Sequence, residues 1–280
     1  MKSPISSFNT KEYALGYVDS SPSELLHKST TEYICIAFVY FSFVKRNQLR
    51  KTRQFKETRG LKRKLQYQKY LIDSIENGLI APIGITNWNK RSIALENGKF
   101  ILKQAGITAD EKEYSHLIEI GKEKLSYGHC VSLGWYSIVL SIFLKQIGKI
   151  AKIDNKTKVV ILLDLLPGDN IHKQRSFNVV HEIIDNTELE DFQLEAIEEN
   201  KLEIIGFAYG QKNGTTKDLK NEFEYVITDW IVQSFYSLLI YEKEGLDESS
   251  KEFQLSLLAK YLIKKGVFEI KNAFSLKLSR

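Results

Sequence analysis

The chain has 280 residues, 43% apolar and 27% charged, with four prolines, two cysteines and a formal net charge of +5. Those proportions fit a globular α/β protein with a substantial core, and they exclude a collagenous, disordered or disulfide-framed chain. No Gly/Ser/Pro-rich stretch divides it, so one domain is expected over residues 1–280, with a core at about 13–242 and a helical extension at about 246–280. Residues 1–10 are polar and lack the apolar run of a signal peptide. The most apolar helical stretch, 131–144, runs about 14 residues before Lys145, against roughly 20 for a membrane span. Cys35 and Cys130 sit in apolar sequence, as buried thiols do. The expectation is a reduced, cytoplasmic protein with no membrane contact.

The first expected strand is 13–19, stopped by the turn sequence Asp19-Ser20-Ser21-Pro22. The second, 32–44, is apolar almost throughout, as in a strand buried on both faces. Between Lys45 and Lys69 stand eleven Lys/Arg residues and one acid, Glu57. Such a run is either a solvated helix face or a surface for phosphates. It turns helical near Gly60, with a stripe through Leu61, Leu65, Leu71, Ile72 and Ile75, and stops at Asn77-Gly78. A third strand follows over 79–88, where Pro82 implies an edge or a bulge. Residues 89–148 read as helices broken near Gly106 and near Tyr127-Gly128. Then come a strand at 158–164, a helix at 176–200, a strand at 202–209, and a helix at about 219–242. One amphipathic helix, 248–265, and a short β-like tail after Gly266 close the chain. This order predicts a mixed sheet flanked by helices.

Three aspartates stand out. Asp19 and Asp164 each close an expected strand, and Asp229 interrupts the apolar run 225–232. A carboxylate among core residues is costly unless it is paired or bound to a cation. Strand-end acids of such a sheet point into one crevice. Taken singly, each has a plain structural reading: a turn cap for Asp19 and Asp164, an ion-pair partner for Asp229. Together they suit Mg²⁺ or Mn²⁺, oxygen-seeking ions that can hold the attacking and leaving oxygens of a phosphodiester. The histidines (His27, His116, His129, His172, His181) lack metal-ligand spacing, and no Walker, dinucleotide or nucleophile-elbow motif is present. Neither Asp19 nor Asp164 is followed two residues on by a second Asp, which disfavours an aspartyl phosphotransferase.

The succession Tyr17-Val18-Asp19-Ser20-Ser21, Lys56-Glu57-Thr58-Arg59-Gly60, Leu162-Leu163-Asp164-Leu165-Leu166-Pro167-Gly168-Asp169 and Ile227-Thr228-Asp229-Trp230-Ile231 resembles the bacterial and phage domain-of-unknown-function family 3800. That family has a ribonuclease H-like fold. The resemblance implies that Asp19, Glu57, Asp164 and Asp229 are the catalytic, metal-binding carboxylates, with Mg²⁺ or Mn²⁺ as cofactor. It places Arg59 where the family carries Lys. Ser20 departs from the family's Glu, and Val226 and Thr228 depart from its context before the last aspartate. The activity implied is hydrolysis of nucleic-acid phosphodiesters, in a phage-defence or mobile-element setting. Arg53, Lys56, Arg59, Lys62 and Arg63 are the expected nucleic-acid contacts. The alternative is a non-catalytic protein that uses segment 45–69 to bind nucleic acid or a partner protein.

Overall fold

Residues 33–44 are apolar at nearly every position because they form a strand covered on both sides. The structure, a computed structural model, describes residues 14–22, 26–45, 48–49, 60–107, 113–151, 157–163, 170–191, 202–209 and 223–272. In chain order the elements are β1 (Ala14–Ser21), β2 (Tyr33–Val44), α1 (Leu61–Glu76), β3 (Ile80–Lys90), α2 (Arg91–Gln104), β4 (Leu117–Ile120), β5 (Glu123–Ser126) and α3 (Tyr127–Ala151). They continue with β6 (Thr157–Leu163), α4 (Asn170–Asp185), β7 (Leu202–Tyr209), α5 (Phe223–Glu244), α6 (Lys251–Leu255), α7 (Leu257–Lys264) and β8 (Phe268–Asn272).

Six strands form one mixed sheet in the order β7-β6-β1-β2-β3-β8. β1, β2 and β3 are an antiparallel meander; β6 joins the free edge of β1 in parallel, β7 follows in parallel, and β8 runs parallel to β3. Alternation along β2 serves two cores. Ile34, Ile36 and Phe38 face one cluster, with Cys130, Val131 and Trp135 of α3. Cys35, Ala37, Val39 and Phe41 face the other, with Ile227, Trp230 and Ile231 of α5. A period of two that buries both phases leaves little room for polar residues, and the one at Ser42 stands exposed near the end of the strand.

Pro82 fits both of its expected explanations. It pairs with Phe41, where the β2–β3 register shifts before Phe43, and β8 pairs with β3 only from Gly84 onward. Its missing N–H therefore costs no ladder bond on the β8 side.

Several expectations need correction. The stretch 89–148 is not all helical: β4 and β5 form a separate two-stranded hairpin around Gly121-Lys122. Gly121 adopts φ +59°, the left-handed conformation that a two-residue hairpin turn demands. The apolar helix does not stop at Lys145. It runs from Tyr127 to Ala151, and its Tyr127–Gln146 portion is long and apolar enough to cross a membrane, yet it is wholly buried by the rest of the protein. Lys is a good helix former, so a single one does not end a helix. α4 begins at Asn170 rather than at 176. The C-terminal helix breaks at Ser256 into α6 and α7, and the tail, rather than extending the domain, becomes β8 of the main sheet.

On the α3 face the packing is close. A Cβ at Gly98 of α2 would lie 2.1 Å from the Val131 carbonyl oxygen, and one at Gly134 would lie 2.9 Å from the Gly98 carbonyl oxygen. The two helices thus meet backbone to backbone, which only glycine permits. Ser132, Ser137 and Ser141 are fully buried in α3, and each hydroxyl donates to the carbonyl four residues earlier at 2.9–3.0 Å. Each of these hydroxyls thus finds an acceptor within its own helix, and Ser132 Oγ also lies 3.4 Å from His27 Nδ1.

Candidate functional site

β1 carries Asp19 at the point where the sheet changes direction. On one side β1 meets antiparallel β2, and on the other parallel β6. The crevice beyond the carboxyl ends of strands at such a switch point is where open α/β sheets bind ligands. Val18 pairs with Leu163 of β6. Each of those residues is followed in the sequence by an aspartate, Asp19 and Asp164. Asp164 lies outside the described residues. Asp19 is not the last residue of its strand, as the turn sequence implied. β1 continues to Ser21, so Asp19 stands opposite Ala37. It is 8% exposed, and its Oδ1 accepts the Ser20 N–H at 2.7 Å. Burial pushes the Cys35 thiol and the Tyr136 hydroxyl well up, and the Asp19 charge adds to both shifts.

α5 packs across β1 and β2 and brings Asp229 to a cleft of about 720 Å³ that also reaches Ser20 and Ser21. Asp229 is half-buried, and both its oxygens accept from Gln233 Nε2 at 3.0 Å, one turn on along the helix. α1 contributes Lys64 and Gln68 to the wall, and α6 contributes Lys251 and Glu252. Gln68 is almost fully buried and donates to the Leu255 carbonyl, which also accepts from Ser234 Oγ at 2.8 Å. That shared acceptor ties α1, α5 and α6 together around the cleft. Tyr67, beside Gln68, packs edge-on to Trp230 at 4.7 Å. Burial raises its hydroxyl well above the usual range, with Tyr70 and Asp229 adding to the shift.

Of the sequence-predicted residues, Asp19 and Asp229 are described and belong to this region. Glu57, Asp164, Arg53, Lys56 and Arg59 lie outside the described residues. Lys62 and Arg63 are exposed on the first turn of α1. No acid stands in that turn, and Gly60 offers no side-chain cap. Cations at the positive end of a helix dipole are locally unfavourable. The arrangement makes this end of α1 attractive to anions, and Lys64 carries it into the cleft.

Reading the sequence missed Lys64, Gln68, Gln233 and Trp230 as site residues. The signal was the four-residue spacing of Lys64 with Gln68 and of Asp229 with Gln233, polar pairs on otherwise apolar helix faces.

The donor chemistry fits a hard divalent cation: both described acids offer oxygens, and a carboxylate has acceptor sites beyond a single hydrogen bond. Among the described residues no group of three or more His, Cys, Asp and Glu side chains could hold a metal ion. Asp164 and Glu57, the other expected ligands, lie outside the described residues. No family model and no curated protein matches the chain. The functional reading consequently rests on the residues themselves.

Proposed function

We propose that the chain is a divalent-metal-dependent nuclease with a ribonuclease H-like sheet. That sheet type calls for an antiparallel meander extended in parallel from the free edge of its first strand, and β7-β6-β1-β2-β3 supports it. The observation that carries the functional reading is the β1–β6 register, which matches Val18 with Leu163, each the residue before an acid. Mg²⁺ or Mn²⁺ would supply charge neutralisation at the scissile phosphate and acidify the attacking water. Asp19, Asp164 and Asp229 would hold the ion, with Glu57 as a further ligand or water-orienting group. Gln233 fixes the rotamer of Asp229. Lys64 stands where it can draw the substrate backbone into the cleft, with Arg53, Lys56, Arg59, Lys62 and Arg63 as further phosphate contacts. A cytoplasmic setting accords with two buried cysteines, Cys35 and Cys130, that form no disulfide.

The test is cleavage of labelled single-stranded, duplex and hybrid nucleic acid in Mg²⁺, in Mn²⁺ and in EDTA. Wild type should cleave only with metal. Asp19→Asn and Asp229→Asn should each lose about a hundredfold or more in rate while melting as wild type does. Failure of wild type on every substrate, or equal cleavage by the variants, returns the chain to the binding-only alternative.

A further inference from the structure

The cleft holds two polar groups at odds with their burial. Gln68 and Trp230 are each 3% exposed, and Gln68 Oε1 and Trp230 Nε1 have no hydrogen-bond partner among the described residues. Both residues line the cleft. One group is an acceptor and the other a donor, and leaving either bond unmade is costly to the folded protein. Two such atoms thus belong to side chains on the wall of a ligand-sized cleft, while others, at Asn87, Asn89 and Gln104, lie away from it.

The rest of the lining agrees. Tyr236 presents a half-buried ring beside Ser237 and Gln233, and Lys64 and Lys251 stand on walls contributed by different helices. A volume of about 720 Å³ lies in the range of small-molecule sites. It suits one or two nucleotides and is far too small for a base-paired duplex. Asp229, Glu244 and Glu252, three acids against the two lysines, would oppose the dense phosphates of two strands more than the single phosphate beside an unstacked base, while a carboxylate can accept from a base amino group. Aromatic, amide and lysine groups in one concavity are how single strands are recognised, by stacking and by reading base edges.

We propose that this cleft takes an unstacked base with its adjoining phosphate, so that the substrate is single-stranded nucleic acid. The inference builds on the nuclease reading but is tested without catalysis. Tyr236 provides the stacking surface, Trp230 Nε1 and Gln68 Oε1 read the base edge as the wall adjusts around it, and Lys64 and Lys251 hold the flanking phosphates.

The experiment is fluorescence anisotropy in EDTA with the full chain, using short labelled RNA and DNA strands and the duplexes of the same sequences. Single strands of one or both sugar types should bind about tenfold tighter than duplex. Tyr236→Leu should weaken strand binding about tenfold. Trp230→Phe keeps an aromatic ring but removes the N–H and part of the indole's volume; it should weaken strand binding severalfold while the protein still unfolds cooperatively, with a modestly lower melting temperature from the void it leaves. A loss in either variant places the base in the cleft. Duplex binding as tight as strand binding overturns the proposal. So does the absence of strand binding, or unchanged affinity in both variants. Strand binding without cleavage in metal upholds this inference and removes the nuclease reading; duplex-selective cleavage without strand preference does the reverse.

Discussion

The two faces of the sheet are built to different standards. On the α3 face, α2 and α3 touch through Gly98 and Gly134, and the buried serines bond within their own helix. On the α5 face, Gln68, Ser234 and the Leu255 carbonyl bond across three helices, a half-buried aspartate stands on the central helix, and an open cleft remains. The first face is held mainly by close packing, with a buried bond from Ser176 Oγ to His129 Nε2 between α4 and α3. The second keeps more of its polar groups between elements, where they tie helices together around a cavity. A protein that needs a site on one side of a sheet can hold its fold from the other.

The contrast can be broken most severely at the closed face. In a helix interior Gly→Ala ordinarily gains about 1 kcal/mol from propensity. At Gly98 the sign should reverse, because the new Cβ meets backbone at 2.1 Å and neither helix can give way alone. Gly98→Ala should lose about 2–3 kcal/mol in urea unfolding. A gain would show that α2 and α3 slide freely.

Next in size is Ser234→Ala on the open face. Its buried hydroxyl donates to the Leu255 carbonyl at 2.8 Å and accepts the Ala259 N–H at 3.0 Å. Removing both bonds should cost about 1–2 kcal/mol and loosen the α6 wall, weakening ligand binding more than the stability loss explains. A melting temperature and affinity equal to wild type would separate this anchor from the cleft.

Smaller is the effect of Lys62→Ala with Arg63→Ala. Both residues are exposed, so stability should barely move. The salt dependence of nucleic-acid affinity should flatten by roughly 0.7 per lost phosphate contact on a single strand. An unchanged slope would make the first turn of α1 a solvated surface.

The smallest expected effect tests the closed face by pH. Burial holds His27 below the ordinary imidazole range, with Lys28 adding to the shift, and burial does the same for His181 against an opposing Asp185. The unfolded chain therefore takes up these protons at a higher pH than the folded one. Stability should be complete above the unfolded value of about 6.5 and fall as pH drops through it. His27→Gln should flatten the slope of melting temperature against pH between about 7 and 5. A slope as steep as wild type assigns the dependence to other groups.

The strands were largely readable. β2 and β7 match their expected ranges within a residue, because runs of β-branched and aromatic residues between turn signals admit few other conformations. Little in the sequence marks the β4–β5 hairpin: Leu117–Ser126 is short and charged, and it lies between two strongly periodic helices. The break at Ser256 was also hidden. A helical stripe over 248–265 says nothing of the Gln68 and Ser234 side chains that capture the Leu255 carbonyl.

The sequence by itself determined where apolar runs form strands, which helix is buried all round, and which acids interrupt them. Asp19 and Asp229 could be singled out because an ionised group among core residues demands an explanation whatever the fold. What it could not determine was which helices share a wall. Only the tertiary structure decided that Lys64 and Gln68 on α1, Asp229 and Trp230 on α5, and Lys251 on α6 line one cleft, and that the last strand returns to lie beside β3. Those meetings join residues up to 187 positions apart in the chain. Local periodicity fixes each helix's buried face but not its neighbour, which is set by packing the whole chain at once.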